Sequence, residues 1–419
     1  MSIAHVIGGG LAGLSAAMAL TDAGYTAAVY EAGPAAGGRC RSYFDRELGC
    51  RVDNGNHLLL SGNTEAFAYL DRIGARASMG GPVTPYFPFI ELATRERWVV
   101  RPSAGRIPWW IFDRARRVPG TGFADYLALL TLARAPRDAS VRDALRDGVL
   151  YRRLLAPLAI AALNTAPEQG LARLLSAVVD ETLMRGGSAC IPCFPREGLS
   201  ESFVDPALAW LGARGGMVQT GRRIGALESD GDRLTALRTP DGAIAVGPDD
   251  RVVLAVPPWI AADLLPGTPA PDAFEAILNV HFRSDPPAAD PTAPAGFIGL
   301  IGGTAEWVFV KPGHVSVTIS AAAHLVDTPA DDLAATVWPE VAAALALDGP
   351  MPPWRVVKEK RATFAATAAQ DRLRPLARTR LANLALAGDW TATGLPASIE
   401  GAIRSGRTAA QALLSAARP

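Results

Sequence analysis

The chain has 419 residues, a length that predicts two or three domains, and its 49% hydrophobic and 20% charged residues exclude a disordered chain. Lysine plus arginine and aspartate plus glutamate both number 41, a balance that argues against a nucleic-acid-binding protein. Four cysteines do not make a disulfide scaffold, and no apolar run approaches the roughly 20 residues of a membrane-spanning helix. No signal peptide precedes the first predicted strand, so we expect a cytoplasmic protein.

The first elements in chain order have the pattern of a nucleotide-binding βαβ unit. Residues 4–7 are predicted to form a buried strand, residues 14–22 a helix and residues 25–30 a second strand. Glu31 ends the second strand, where a carboxylate can bind a ribose hydroxyl. In the G-x-G-x-x-G motif the glycines allow a tight turn, a close approach of backbone to pyrophosphate, and close packing of helix on strand. The turn after the first strand has this spacing in Gly8, Gly10 and Gly13.

The glycine turn alone does not distinguish FAD from NAD, but three later segments do. Residues 37–41 read Gly-Gly-Arg-Cys-Arg and lie soon after Glu31. Residues 252–256 form a predicted apolar strand that two prolines end. Residues 384–390 form another predicted strand, which ends in Gly-Asp-Trp and leads into a loop and a helix over about residues 398–416.

Together these segments resemble the FAD-dependent amine oxidase and phytoene desaturase superfamily. The chain resembles the hydroxysqualene dehydroxylases (squalene-associated FAD-dependent desaturases) more closely, in DNGNHLLLSGN (53–63), PLAIAALNTAPEQ (157–169) and EKRATFAATAAQDRLRP (359–375). The resemblance implies an FAD-dependent oxidoreductase of squalene and hopanoid biosynthesis. Such an enzyme converts hydroxysqualene to squalene by loss of the allylic hydroxyl and hydride transfer from reduced flavin. The alternatives are a polyprenoid desaturase, an amine oxidase, and a prenyl-chain carrier of the same fold that catalyses no reaction.

The implied fold is α/β, a Rossmann-like FAD-binding domain of the GR2 type interleaved with an α+β substrate domain. The FAD-binding domain is assigned to residues 1–63, 213–269 and 358–419. The substrate domain is assigned to residues 64–212, which are mainly helical, and residues 270–357, which contain sheet and helix.

Within the substrate domain, periodicity predicts the individual elements. The predicted helices cover residues 64–73, 122–133, 141–150 and 333–347, and another helix starts at Pro167. The predicted strands cover residues 297–301, 306–310 and 315–320.

The resemblance also implies which residues hold the cofactor. Arg39 and Arg41 would lie near the pyrophosphate and flavin, and Asp389 would bind the ribityl chain. The helix beginning near Ser398 would direct its N-terminus at the flavin C2 carbonyl, and a strand around Ile224 would meet the adenine. No metal is expected. The full set of expected cofactor-binding residues is Gly8, Gly10, Leu11, Ala12, Gly13, Glu31, Ala32, Gly38, Arg39, Arg41, Asn56, His57, Ile224, Gly388, Asp389, Pro396, Ala397, Ser398 and Ile399.

Two residues are candidates for catalysis. His57 either donates a proton to the leaving hydroxyl or is a structural histidine bonded to backbone. Asn164, with Thr165, either binds the substrate hydroxyl or caps the next segment of the chain. Aromatic side chains could stabilise a transient cation in an apolar tunnel. The aromatic candidates are Phe87, Trp210 and Trp390.

The implied partners are a hydrophobic C30 isoprenoid and an external electron donor, since only one nucleotide motif is visible. Residues 92–117 contain seven arginines, two acidic residues and interleaved tryptophans. This composition suits either an anionic membrane surface or a solvated arginine face of the substrate domain. Cys190 and Cys193 form a C-x-x-C, which is a redox pair, half of a zinc site or, as we expect, two ordinary loop cysteines.

Overall fold

The computed structural model describes residues 2–284 and 292–415. Its strands are β1 (Ile3–Ile7), β2 (Thr26–Tyr30), β3 (Ser42–Asp45), β4 (Cys50–Asp53), β5 (Leu59–Leu60), β6 (Met79–Gly80), β7 (Phe87–Glu91), β8 (Arg97–Val100), β9 (Pro192–Pro195), β10 (Met217–Gln219), β11 (Ala226–Asp230), β12 (Arg233–Thr239), β13 (Gly242–Ala245), β14 (Arg251–Leu254), β15 (Phe274–Arg283), β16 (Phe297–Ile301), β17 (Trp307–Lys311), β18 (His314–Ile319), β19 (Trp354–Phe364) and β20 (Leu384–Leu386). Its α-helices are α1 (Leu11–Asp22), α2 (Thr64–Arg72), α3 (Ala128–Ala133), α4 (Val141–Ala144), α5 (Ala156–Leu163), α6 (Ala172–Glu181), α7 (Asp205–Gly212), α8 (Pro258–Leu264), α9 (Ala330–Leu345), α10 (Ala368–Arg372) and α11 (Ile399–Ser415).

The first sheet is parallel and has the strand order β10-β2-β1-β14-β20. Its central strands are short and almost wholly buried, as expected for parallel strands covered on both faces. Helices α1 and α11 pack against each other, and the Ser15 hydroxyl of α1 donates to the Ile403 carbonyl of α11 at 2.8 Å. The carboxyl ends of β1, β14 and β20 meet at one edge, which is where dinucleotides bind in folds of this kind.

The second sheet has the strand order β19-β15-β18-β17-β16-β7-β8, and its neighbours are antiparallel except for β16 and β7. Helix α9 packs against it, with Trp338 on Phe282. Strands β7 and β8 come from the segment predicted to be mainly helical. They were missed because four or five residues are too few for a clear alternating pattern. The two sheets and their helices confirm the predicted α/β fold class.

Several other predicted elements are confirmed, with small shifts at some of their ends. The predicted strand over residues 297–301 is β16, and the predicted helix over residues 333–347 is α9. The helix predicted over residues 398–416 is α11, and its last predicted residue lies outside the described part of the chain. The predicted helix over residues 122–133 is divided into a 3-10 helix, Phe123–Leu127, and α3.

The helix predicted over residues 141–150 is wrong, because α4 ends at Ala144 and a loop comes next. In that loop the Asp147 carboxylate accepts from the Gly148 N–H at 2.9 Å, an alternative to a helical hydrogen bond. A new helical run then passes through a π-helical turn, Tyr151–Leu155, into α5.

Two further local predictions are also wrong. Pro167 does not start a helix; it lies in a turn closed by the Gly170 N–H on the Ala166 carbonyl at 2.7 Å. The segment around Ile224 is a loop rather than a strand. Its first hydrogen bond to β12 is the one from the Gly225 N–H to the Arg238 carbonyl, and β11 begins at the next residue.

Candidate flavin site

The three glycines of the N-terminal turn have different surroundings. Gly8 has a φ of +108°, and a Cβ there would lie 2.3 Å from the Ala255 carbonyl oxygen. A Cβ on Gly13 would lie 2.0 Å from the Gly8 carbonyl oxygen. Gly10 has a φ of −74°, and no heavy atom lies within 4 Å of the position of its Cβ. The open space beside Gly10 and the N-terminus of α1 together form the cradle that a pyrophosphate requires.

Glu31 lies after the end of β2 and binds the glycine turn. Its carboxylate accepts from the Gly9 N–H at 2.8 Å and from the Gly33 N–H at 2.6 Å. The Glu31 carbonyl accepts from the Arg222 N–H at 2.8 Å, and Ile224 lies buried two residues further on. The structure therefore brings the residues expected on the adenosine side to one end of β2.

The two ends of the chain meet at Arg39 and Asp389. The Arg39 guanidinium donates to both carboxylate oxygens of Asp389, each at 2.7 Å. Asp389 is buried, whereas the Arg39 side chain is 45% exposed. Arg41 is exposed and donates to the Gly38 carbonyl at 3.2 Å and to the Asn54 side chain at 3.3 Å. An acidic and a basic group expected at the flavin thus lie in direct contact.

The start of α11 completes this edge of the site. The Ser398 hydroxyl accepts from the Gly401 N–H at 3.1 Å and so caps the helix. The Gly388 N–H donates to the Ser405 hydroxyl at 2.8 Å, which joins the end of β20 to α11. Pro396 and Ala397 precede this cap and lie at the positive end of the α11 dipole.

Arg374 was not predicted as a site residue, yet it holds the loop that carries Asp389. Its buried guanidinium donates to the Asp389 carbonyl at 3.2 Å, the Thr391 carbonyl at 2.6 Å and the Thr393 hydroxyl at 2.8 Å. Asp371 pairs with it at 3.0 Å. Arg374 lies within the segment 359–375 that carries the family resemblance, and this was the signal available for it.

A buried ion pair lies next to the segment of residues 53–57. Lys311 Nζ, at the end of β17, is 2.5 Å from Asp53 Oδ2, and both side chains are almost fully buried. The other Asp53 oxygen accepts from the Ser42 hydroxyl at 2.6 Å and the Leu199 N–H at 2.9 Å. Although burial acts to raise the pKa of Asp53, Lys311 and these hydrogen bonds hold it below its usual value. No sequence pattern indicates this pair, because a lysine at a strand end is usually exposed.

Three of the five histidines interact electrostatically with Asp53 and Lys311. Burial lowers the pKa of His57 to about 4, that of His281 to about 3 and that of His314 to about 4. All three are therefore neutral at pH 7. His281 shares a hydrogen bond of 2.9 Å with the Ser316 hydroxyl.

Asn56 has a polar atom to offer a ligand. Its Nδ2 donates to the Ser316 hydroxyl at 2.7 Å and the Thr318 hydroxyl at 3.0 Å. Its Oδ1 is buried and has no partner among residues 2–284 and 292–415. Because an unsatisfied buried acceptor costs about 1–3 kcal/mol, this position fits a ligand that brings an N–H or O–H group.

Asn164 is buried at the end of α5 with a φ of +48°, and both ends of its amide bind protein groups. Its Nδ2 donates to the Thr363 hydroxyl at 2.9 Å, and its Oδ1 accepts from the Ala321 N–H at 2.7 Å. The Thr165 hydroxyl accepts from the Ala366 N–H at 2.9 Å. These two residues therefore connect α5 to β19 and to the segment after β18.

Only one of the three aromatic candidates has the expected surroundings. Phe87 belongs to a cluster of rings that also packs against Leu58, the neighbour of His57. Trp210 is covered by two guanidinium groups whose carbons lie 3.8 and 4.7 Å from the ring centroid. Trp390 is 2% exposed and donates from Nε1 to the Val256 carbonyl, so it is a core residue. The cluster around Phe87 comprises Leu58, Tyr86, Phe87, Phe194, Ala295, Phe297, Trp307 and Phe309.

The C-x-x-C carries two free thiols. Cys190 is buried, and burial raises its pKa to about 12. Burial also raises the pKa of Cys193, which lies in β9. Neither thiol is activated as a thiolate, in agreement with two ordinary cysteines.

The fold and the glycine turn define a dinucleotide-binding protein, and comparison with known proteins shows that it is a flavin-containing oxidoreductase. The family model described as flavin-containing amine oxidoreductase matches residues 11–414. Cyclohexylamine oxidase from Brevibacterium oxydans has the same fold, with a TM-score of 0.70 at 14% identity over 99% of both chains. An oxidoreductase from Methanosarcina mazei has a TM-score of 0.68 at 16% identity over 96% of this chain and 98% of its own.

Curated relatives are much more similar in sequence. The hydroxysqualene dehydroxylase of Rhodopseudomonas palustris is 50% identical over 99% of both chains, and that of Sinorhizobium fredii is 48% identical over 98% of both. The chain belongs to the flavin-containing amine oxidoreductase family and, within it, to the hydroxysqualene dehydroxylases.

Proposed function

We propose that this protein converts hydroxysqualene to squalene with FAD as its cofactor. Relatives that are 45–50% identical over nearly their full length are named for this reaction. The structural observation that supports the proposal is the contact of Arg39 with Asp389 at the sheet edge that carries the glycine turn. In the reaction the allylic C–O bond breaks, a hydride forms the new C–H bond, and a proton leaves with the oxygen as water.

The residues proposed to hold FAD lie along that sheet edge. Gly8, Gly10, Leu11, Ala12 and Gly13 would hold the pyrophosphate at the start of α1. Glu31, Ala32 and Ile224 would bind the adenosine end. Gly38, Arg39, Arg41, Asn56, His57, Gly388, Asp389, Pro396, Ala397, Ser398 and Ile399 would surround the ribityl chain and the flavin. When bound and reduced, FAD supplies the hydride. We assign residues 1–63, 213–269 and 358–419 to its binding domain.

His57 is proposed as the proton donor to the leaving hydroxyl. His57 stays neutral above about pH 4 and keeps one ring N–H. That N–H would pass its proton to the departing oxygen while the other ring nitrogen takes up a proton from solvent, so that the ring ends neutral and the oxygen leaves as water. The aromatic cluster around Phe87 would hold the isoprenoid chain and exclude water, so that the hydride reaches the carbon first. Asn164 is proposed as a positioning residue, because both ends of its amide already bind protein groups.

The reaction consumes two electrons per turnover, so an external electron donor is also proposed. The sequence contains one dinucleotide motif, in the first βαβ unit. The donor would therefore reduce the flavin before the substrate reacts.

Product analysis tests the proposed activity. Purified protein reduced with one equivalent of dithionite per flavin is incubated anaerobically with hydroxysqualene, and the products are separated by gas chromatography and mass spectrometry. We expect squalene in an amount equal to the flavin present, and none from oxidised protein. Phytoene in parallel incubations tests desaturation. Failure to form squalene with reduced, flavin-loaded protein would contradict the proposal, as would coloured products from phytoene.

The cofactor assignment is tested through Asp389. We expect denatured protein to release FAD, and Asp389→Ala to weaken FAD binding by about 1.5–3 kcal/mol through loss of charge-assisted hydrogen bonds. Titration of the apoprotein with FAD measures the change. Asp230→Ala, at an exposed position in β11, is the control and should bind FAD as the wild type does. Equal affinities for the Asp389 variant and the control would contradict the assignment.

A further inference from the structure

An unusual share of the exposed apolar side chains lies in one short part of the chain. Twelve large apolar residues are exposed in the part of the chain that the structure describes, and six of them lie between residues 107 and 130. Their exposed fractions run from 41% to 65%. These six residues, here called the aromatic face, are Ile107, Trp109, Phe112, Phe123, Leu127 and Leu130. A concentration of this kind usually marks an interaction site.

The rings of the aromatic face form one continuous surface. The ring centroids of Trp109 and Phe112 are 6.3 Å apart, and those of Phe112 and Phe123 are 5.3 Å apart. Leu127 lies four residues after Phe123, at the end of the same 3-10 helix, and is also exposed. Three aromatic side chains thus lie side by side, each of them more than half exposed.

The aromatic face is held in place by buried neighbours. Trp110 and Ile111, which lie between Trp109 and Phe112, are buried, and Trp110 packs edge-on against Tyr126 with centroids 4.9 Å apart. The Tyr126 hydroxyl accepts from the Val118 N–H at 3.0 Å. By composition alone, the tryptophans of residues 92–117 are equivalent. In the structure they differ: Trp98 is buried like Trp110 and stacks on Phe89, whereas Trp109 is exposed.

The part of the chain that carries the aromatic face is rich in positive charge. Residues 101–137 contain seven arginines and two aspartates, an excess of five positive charges in a chain whose net charge is zero. In the described structure none of the seven forms an ion pair with a carboxylate, so their charges are not neutralised locally. The Arg116 guanidinium donates to the carbonyls of residues 101 and 102, and the Arg117 guanidinium donates to the Ile111 carbonyl. The arginines are Arg101, Arg106, Arg114, Arg116, Arg117, Arg134 and Arg137.

We infer that the aromatic face is the surface by which this protein docks on an anionic phospholipid bilayer. Tryptophan and phenylalanine insert at the headgroup level, and arginine side chains around them pair with lipid phosphates. Contact would be peripheral, because no helix in the described residues is long and apolar enough to cross a membrane. The inference deepens the proposed function and in part rests on it, since a C30 isoprenoid partitions into bilayers.

Vesicle co-sedimentation without substrate or reductant tests the inference separately from the activity. We expect binding to vesicles of phosphatidylcholine with 30% phosphatidylglycerol, and weak binding to pure phosphatidylcholine. Binding should weaken as salt rises, because added ions screen the arginine charges. Trp109→Ser with Phe112→Ser should lower the partition coefficient at least tenfold. Arg101→Gln, Arg106→Gln and Arg114→Gln should each lower it about fivefold on anionic vesicles only.

The control is the pair Val83→Ser and Leu376→Ser, which removes two exposed apolar side chains elsewhere and should leave binding unchanged. Circular dichroism checks that each variant is folded. Absence of binding, or equal binding of the aromatic variant and the control, would overturn the inference. So would a dimer in sedimentation equilibrium that the aromatic variant abolishes, because the face would then bind a second copy. Squalene formation in detergent, measured on the same variants, shows whether the proposed activity fails independently.

Discussion

His57 lies beside charged groups and has the chemistry of a proton donor. We expect His57→Ala to retain flavin and to lose about 10²–10⁴-fold in turnover, the range for removal of a general acid. The rate of flavin reoxidation after anaerobic addition of hydroxysqualene measures this. His324→Ala, at an exposed histidine, is the matched control. Because burial lowers the pKa of His57 to about 4, its titration should not alter the rate between pH 6 and 8. Wild-type turnover in His57→Ala would exclude it from proton transfer.

The raised pKa of Glu306 should make the stability of the protein depend on pH. Burial raises its pKa from 4.5 to about 7, although a hydrogen bond from the Ser320 N–H, at 2.8 Å, opposes the rise. The folded state therefore binds the proton more tightly than the unfolded state, and the free energy of unfolding falls as pH rises from about 4.5 to 7.

Glu306→Gln keeps an acceptor oxygen and removes the charge. At pH 8 the wild type carries the buried charge and the variant does not, whereas at pH 5 neither is fully charged. We therefore expect the variant to exceed the wild type in free energy of unfolding by about 1–3 kcal/mol more at pH 8 than at pH 5. Urea denaturation at both pH values measures the difference, and Glu197→Gln, at an exposed glutamate, corrects for general charge effects. A gain that is the same at both pH values would contradict the prediction.

At the scale of elements, the glycine turn and α1 allow cofactor binding to be separated from folding. Gly10 has an ordinary φ and open space at its Cβ position, whereas a Cβ on Gly13 would overlap the Gly8 carbonyl oxygen. Gly10→Ala should therefore leave the stability of the apoprotein within about 0.5 kcal/mol and weaken FAD binding at least tenfold. Gly13→Ala should lower the free energy of unfolding by about 1–3 kcal/mol or more.

Urea denaturation of the apoproteins and titration with FAD measure both effects. Normal FAD affinity in Gly10→Ala would mean that no phosphate approaches that glycine. Wild-type stability in Gly13→Ala would mean that helix and strand do not need the close contact.

The sequence predicted those parts of the site that lie close together in the chain. The glycine turn, Glu31 and the cap of α11 each occupy one short segment, so local spacing was sufficient. The pair of Asp53 with Lys311 was not predictable in this way, because 258 residues separate its members. That pair depends on how β17 is placed within a seven-stranded sheet, and sheet order is not encoded in any one segment.

Over the whole molecule, the parallel sheet joins the two ends of the chain. Strands β1 and β20 are separated only by β14, and α1 packs on α11. The convergence of the N-terminal glycines and Asp389 that the sequence predicted is confirmed by these contacts and by the Arg39–Asp389 pair. The four domain boundaries stay a prediction, and β19 of the second sheet runs across the last of them, between residues 357 and 358.

The contact between α1 and α11 should therefore control both stability and cofactor affinity. A Cβ on Gly406 of α11 would lie 2.2 Å from the Ala12 carbonyl oxygen and 2.8 Å from the Ala16 nitrogen. Gly406→Ala should force the helices apart, lower the free energy of unfolding by about 1–3 kcal/mol and weaken FAD binding, because α1 and the loop after β20 both contribute to the site.

The matched control is Gly212→Ala at the end of α7, where no heavy atom lies within 4 Å of the Cβ position. It should be neutral or stabilise by up to about 1 kcal/mol, as alanine does for glycine in helices. Urea denaturation with and without FAD, and titration of each apoprotein, distinguish the two variants. If Gly406→Ala matched the control in both stability and FAD affinity, close packing of α1 on α11 would not be what holds the two halves of the flavin site together.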